Sequence, residues 1–173
     1  MPIEIPPNPG GARRGTQPQP GDPCFLCEAI AGREDKGIVE ETEQTVTMVN
    51  WKQFELGQVL VCARRHAPTL FDLTDDEAMA VMQAARRVAD ALIRAYDPEG
   101  MNLIQNNGIV AGQSAPHFHM HVVPRRKIGS DWGNGPPHIA KLEGKEPTSP
   151  THDVTVSLER EYEITEEITQ HLN

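Results

Sequence analysis

The feature that most constrains this chain is the run Gln113-Ser114-Ala115-Pro116-His117-Phe118-His119-Met120-His121-Val122-Val123. On a strand, successive side chains point to opposite faces. His117, His119 and His121 would then share one face at ~7 Å intervals, with Phe118, Met120 and Val122 on the other. The second face is apolar enough to lie on a core, and Val122-Val123 favours extended backbone. A helix would scatter the imidazoles. A half-exposed strand that is merely rich in histidine is the plainer alternative, but a strict alternating trio is a costly arrangement for packing alone.

A chain of 173 residues suits one domain with tails and needs no disulfide framework to stabilise its core. Its three cysteines, two of them spaced Cys24-x-x-Cys27, do not resemble a secreted disulfide scaffold. No stretch approaches the ~20 apolar residues of a membrane span. The N-terminus lacks the apolar segment of a signal peptide, so a cytoplasmic protein with no membrane partner is expected. A formal net charge of −9 argues against a non-specific nucleic-acid binder. It leaves small anionic ligands open, because these depend on local donors.

Along the chain, residues 1–23 carry many Pro and Gly and few apolar anchors, and are expected to form a disordered leader. Residues 24–126 form the expected domain. A short helix runs from Cys24 to Gly32, strands cover Ile38–Glu40, Gln44–Asn50 and Gly57–Cys62, and a further strand covers Gly100–Asn106. One long helix opens at Thr74, whose capping-box partner is Glu77. Its apolar positions Ala78, Val81, Met82, Ala85, Val88, Ala89, Leu92 and Ile93 face a core, and Asp97-Pro98 ends it. Residues 127–173 are an extension of loop composition, in which Leu158 to Leu172 has the pattern of an amphipathic helix.

Two clusters carry chemistry. Cys24, Cys27 and His66, with His117 as the fourth member, are the ligand set of a closed tetrahedral zinc site. A redox pair is the rival, but no thioredoxin-like pattern surrounds the C-x-x-C. Cys62 reads as a small buried residue on a strand. With His117 given to zinc, His119 and His121 remain. A neutral imidazole is a competent nucleophile toward phosphorus, and needs donors for the phosphate oxygens and an acid for the leaving group. Gly112 permits close backbone approach, and Gln113, Ser114 and Asn106 supply donors. Taken alone, Gln113-Ser114 reads more readily as an ordinary polar turn before a strand. No Walker-type loop or paired metal carboxylates call for magnesium, and no nucleotide cofactor is expected.

Asn106-x-Gly108 followed by Ala111-Gly112-Gln113-Ser114-x-x-His117-x-His119-x-His121-Val122-x-Pro124-Arg125 resembles the signature of the histidine-triad (HIT) family. The likeness extends over Cys24 to Arg125, including Gly57-x-Val59-Leu60-Val61 and Asp72-Leu73 before the long helix. It implies an α+β fold with a five-stranded antiparallel sheet, one long and one short helix, and a homodimer with a continuous ten-stranded sheet. It also implies cleavage at the α-phosphate of a nucleoside-monophosphate conjugate, a dinucleoside polyphosphate or a nucleoside phosphoramidate. His119 would be the nucleophile and His121 a phosphate contact. Ser114 and Gln113 would bind the α-phosphate and assist the leaving group, Asn106 would lie nearby, and Asn50 would hold the ribose. Cys24, Cys27, His66 and His117 match the zinc ligands of metal-containing members. The C-x-x-C resembles bacterial HIT proteins, whereas Met48-Val49-Asn50-Trp51-Lys52 is closer to the fragile-histidine-triad branch. A dinucleoside polyphosphate phosphorylase and a non-catalytic nucleotide-binding module are the alternatives. Two features depart from the family pattern: Gln58 stands where a histidine is usual, and the segment from Lys127 does not align with it, although Trp132 there would match a tryptophan that some branches use beside the active site.

Overall fold

A computed structural model describes residues 3–5, 24–53, 55–125 and 154–172. The leader segment 6–23 and the loop of the extension, with Trp132, lie outside the described residues. The elements in chain order are α1 (Phe25–Ile30), β1 (Ile38–Glu41), β2 (Thr45–Val49), β3 (Lys52–Gln53), β4 (Val59–Ala63), α2 (Asp75–Tyr96), β5 (Gly100–Ile104), β6 (His119–Arg125), β7 (Val154–Thr155) and α3 (Leu158–Thr169). Five strands form one antiparallel sheet in the order β1-β2-β4-β6-β5, and β3 pairs with β7. This is the expected α+β fold.

Strand alternation divides the molecule into two layers of contact. Val59, Val61 and Ala63 of β4 join Phe118, Val122 and the buried face of α2 in one apolar cluster. Leu60 and Cys62, on the opposite face, pack with Val46, Met48 and Leu26 and Ala29 of α1 in a second. The helix α2 starts as expected, with Thr74 and Glu77 bonded reciprocally in a capping box. It ends at Asp97, whose φ of 45° is left-handed, just before Pro98. Its buried stripe differs in detail from the periodic reading. Ala84 and Ala91 lie against the sheet, while Met82 and Ile93 are about half exposed at 51% and 50%. The small side chains let helix and sheet approach closely, and the apolar stripe is wider than that contact.

Although it follows residue 126, α3 is part of the same core. Val156, Ile164 and Ile168 belong to the α2-side cluster. Ser157 caps the helix by accepting the Arg160 N–H, and the Tyr96 hydroxyl donates to Glu167 at 2.6 Å. No helix among the described residues is long and apolar enough to cross a membrane.

Candidate active site and metal cluster

Strand register sets the positions of the histidines. His119 stands opposite Cys62, and His121 is flanked by Leu60 and Ile104, so both imidazoles lie on the α1 side of the sheet. Phe118 and Val122 lie in the α2-side core and Met120 packs against it, as the alternation requires. His117 differs from the simple strand reading. The strand begins only at His119, because the Phe118 N–H is taken by the Ala67 carbonyl at 2.6 Å in the approach to it. His117 is fully buried and its ring meets the cysteine pair.

Cys24, Cys27, His66 and His117 form a cluster whose donor atoms all lie within 4.8 Å of one another. The His117 Nε2–H donates to the Ala63 carbonyl at 2.8 Å, since a carbonyl can only accept. Its Nδ1 lone pair therefore faces the thiols, 3.5 Å from Cys24 Sγ and 3.4 Å from Cys27 Sγ. The His66 Nδ1 lies 3.3 Å from Cys27 Sγ. A zinc tetrahedron with bonds of about 2.0–2.3 Å has donor–donor edges of about 3.3–3.8 Å. These three spacings match such edges, and the donor set of two thiols and two imidazoles fits the ion. Burial holds the His117 ring down at about 4, against the opposing pull of the Ala63 carbonyl, so it is neutral at pH 7 as a ligand must be. Burial, and then the neighbouring Cys24, pushes the Cys27 thiol up to about 12, and a bound cation would reverse that preference.

The His119 ring is oriented by the backbone of His117. Its Nδ1–H donates to the His117 carbonyl at 2.7 Å, which leaves the lone pair on Nε2. Burial lowers its pKa, opposed by that same hydrogen bond, so the ring is held in the neutral, nucleophilic form. The His121 ring lies beside it, with centroids 5.1 Å apart and planes at 76°. Gln58, fully buried, places its side-chain amide nitrogen 2.9 Å from His121 Nδ1.

The loop between β5 and β6 turns at two left-handed glycines, Gly108 at φ 89° and Gly112 at φ 86°. Gln113 is its clamp. Its amide nitrogen donates to the Pro68 and Ala115 carbonyls at 2.6 and 2.8 Å, and its oxygen accepts the Gly108 N–H at 2.7 Å. The side chain is thus committed to backbone, and a direct phosphate contact would require one of these bonds to be exchanged. Ser114 is exposed, and Asn106 makes one long bond of 3.4 Å to the Gly112 carbonyl. Asn50 is buried and closes a local turn through the Lys52 carbonyl at 2.6 Å, while its backbone N–H bonds the Gln58 carbonyl. Two contacts carry no residue-type signature and were not legible beforehand. Asn107 fixes the Leu70 N–H at 2.8 Å, and the Ile109 N–H donates to the Glu4 carbonyl at 3.0 Å, which lays residues 3–5 on the loop.

An antiparallel sheet that holds two imidazoles on one strand, beside a buried Cys2His2 cluster, defines an α+β histidine-cluster protein. Residues 31–128, more than half of the chain, match the HIT domain. The chain belongs to the HIT family. It is 34% identical over 110 residues to the "Protein hit" of Bacillus subtilis, covering 64% of this chain and 76% of that protein. It is 33% identical over 87 residues to the bis(5'-adenosyl)-triphosphatase of Dictyostelium discoideum, covering 50% and 58%. Among solved structures, a zinc-bound histidine triad family protein from Mycobacterium smegmatis superposes with a TM-score of 0.65 at 21% identity, covering 86% and 91%. At that identity the likeness shows the fold. Cys24 and Cys27 precede the family match, so half of the metal cluster lies outside it.

Proposed function

We propose that the chain is a nucleotide hydrolase or nucleotidyltransferase that cleaves at the α-phosphate of a nucleoside-monophosphate conjugate through a covalent nucleotidyl-His119. The carrying observation is the 2.7 Å bond from His119 Nδ1–H to the His117 carbonyl, which leaves a neutral ring with its lone pair on Nε2. That lone pair attacks the α-phosphorus. The bond to the leaving group breaks with its electron pair, the leaving atom takes a proton, and water then hydrolyses the N–P bond to release the nucleoside monophosphate and the free histidine. Ser114 is the exposed donor beside the site, Gln113 and Gly112 shape the loop that meets the phosphate, and Asn106 and Asn50 complete the nucleotide side. Similar proteins include the triphosphatase named above and an adenosine 5'-monophosphoramidase of Schizosaccharomyces pombe, which supports this substrate class.

The Cys2His2 cluster is proposed to hold one structural zinc; that the mycobacterial protein of the same fold is zinc-bound supports this reading. It would tie α1 to the end of β4 and the start of β6, with no part in the chemistry. A homodimer is proposed across β5, an edge of the sheet whose Leu103 is 46% exposed. The test of the function is a screen of dinucleoside polyphosphates and nucleoside phosphoramidates, with intact-mass detection of the intermediate. Turnover with a nucleotidylated His119, abolished in His119→Ala while nucleotide binding persists, is the expected result. No turnover on any such conjugate would leave a nucleotide-binding module. Turnover that stalls without inorganic phosphate would identify a phosphorylase.

A further inference from the structure

The backbone of Gln58 is pinned on both sides. Its N–H donates to the Glu55 carbonyl at 3.2 Å, and its carbonyl accepts the Asn50 N–H at 3.0 Å. Gly57, left-handed at φ 91°, turns the chain into this position, and Gln58 then heads β4 with its side chain on the same face as Leu60, the cross-strand partner of His121. The amide is fully buried and meets His121 Nδ1 at 2.9 Å through its nitrogen. An amide nitrogen only donates, so Nδ1 must accept, and the ring proton of the neutral imidazole must then sit on Nε2. His119, 5.1 Å away between centroids, is held in the opposite tautomer by a carbonyl.

The chemistry needs that opposition. Two neighbouring rings that both present lone pairs would repel the oxygens of an incoming phosphate. Two that both present N–H groups would lack a nucleophile. One of each supplies attack and oxygen stabilisation from the same strand. We infer that Gln58 is a positioning residue whose buried amide N–H locks His121 in the Nε2–H tautomer, making it the donor to a phosphoryl oxygen beside the His119 nucleophile. The catalytic half of this inference rests on the function proposed above. An amide does not ionise, so the lock itself has no charge state to lose.

The test reads the ring proton directly, by 15N NMR of the His121 imidazole in full-length protein at neutral pH without substrate. It is combined with steady-state kinetics of Gln58→Met, which keeps length but removes the donor, and Gln58→Glu, which can only accept. The expected result is an unprotonated Nδ1 and a protonated Nε2 in the unaltered chain, and a protonated Nδ1 in Gln58→Glu. Gln58→Met should show averaged tautomers and lose about tenfold in kcat, with KM changed less than about twofold. A proton found on Nδ1 in the unaltered chain overturns the inference, as does Gln58→Met with an unchanged tautomer and unchanged kcat. Because the proton is read without turnover, an inactive protein would sink the proposed function and leave the tautomer result standing. Intact turnover with the wrong tautomer would sink this inference alone.

Discussion

Glu161 on α3 is fully buried, and its carboxylate lies 3.7 Å from the Lys36 ammonium, itself only 6% exposed. The second carboxylate oxygen accepts the Gly37 N–H at 3.3 Å. Lys36 also lies over the rings of Phe25 and Trp51 at 4.8 and 5.7 Å. The pair therefore ties α3 to the segment between α1 and β1, and removing one partner leaves a charge in a dry site. At an effective dielectric constant of about 20, two unit charges at this separation attract by about 4 kcal/mol. That agrees with the cost of about 3–5 kcal/mol for breaking a buried pair from one side. Glu161→Gln keeps shape and isolates the charge, so urea denaturation followed by circular dichroism should show a loss of about 3 kcal/mol or more. In thermal unfolding, 3 kcal/mol corresponds to roughly 6–12 °C for a chain of this size. Glu161→Leu combined with Lys36→Met removes both charges and should recover most of the loss, apart from about 1 kcal/mol of cation–π contact. If Glu161→Gln costs less than about 1 kcal/mol, the pair is solvated in solution and the reasoning fails.

Three further outcomes are expected. Elemental analysis should find about one zinc per chain, lowered in Cys27→Ser together with the unfolding midpoint; a metal-free protein of unchanged stability would remove the zinc assignment. In zinc-stripped protein the buried His117, held at about 4 against 6.5, takes up a proton on unfolding. Its contribution is complete above pH 6.5 and is lost as pH falls toward about 4, by about 3 kcal/mol in all, and a flat stability profile across that window would contradict it. Thr47 is fully buried and its hydroxyl has no partner among the described residues, so Thr47→Val should raise stability by about 1 kcal/mol in the same denaturation assay, and a loss instead would mean that the hydroxyl is satisfied.

The fold was legible where a period or a cap writes it locally. The alternation around Phe118, Met120 and Val122 placed β6 against the core, and Thr74 with Glu77 marked the start of α2. What stayed hidden depends on backbone partners, which have no residue type. Nothing in the letters says that Gln113 is occupied by the Pro68 and Ala115 carbonyls, or that Asn50 closes a turn on Lys52. Gln58 was visible as a departure from the family pattern, but its meaning needed the 2.9 Å contact with His121. The helix α3 was legible as an amphipathic segment, but its place in the core was not, because nothing in the letters says that Lys36 lies beside Glu161.

His117 joins the metal-ligand cluster to the histidine strand, which is how the proposed structural zinc would bear on the proposed reaction without taking part in it. Its Nδ1 faces the thiols, its Nε2–H holds the Ala63 carbonyl at the end of β4, and its own carbonyl receives the His119 Nδ1–H. One residue thus fixes the metal cluster, the strand end and the tautomer of the proposed nucleophile. Displacing the His117 ring would move the carbonyl that keeps the His119 lone pair on Nε2, and a free imidazole distributes its proton between both nitrogens. Under the proposed function, the cluster of Cys24, Cys27, His66 and His117 would thus act on the chemistry through position alone. The alternating spacing of His117 and His119 is what makes that possible, since a backbone carbonyl reaches the ring two residues on only where the chain is entering extended conformation.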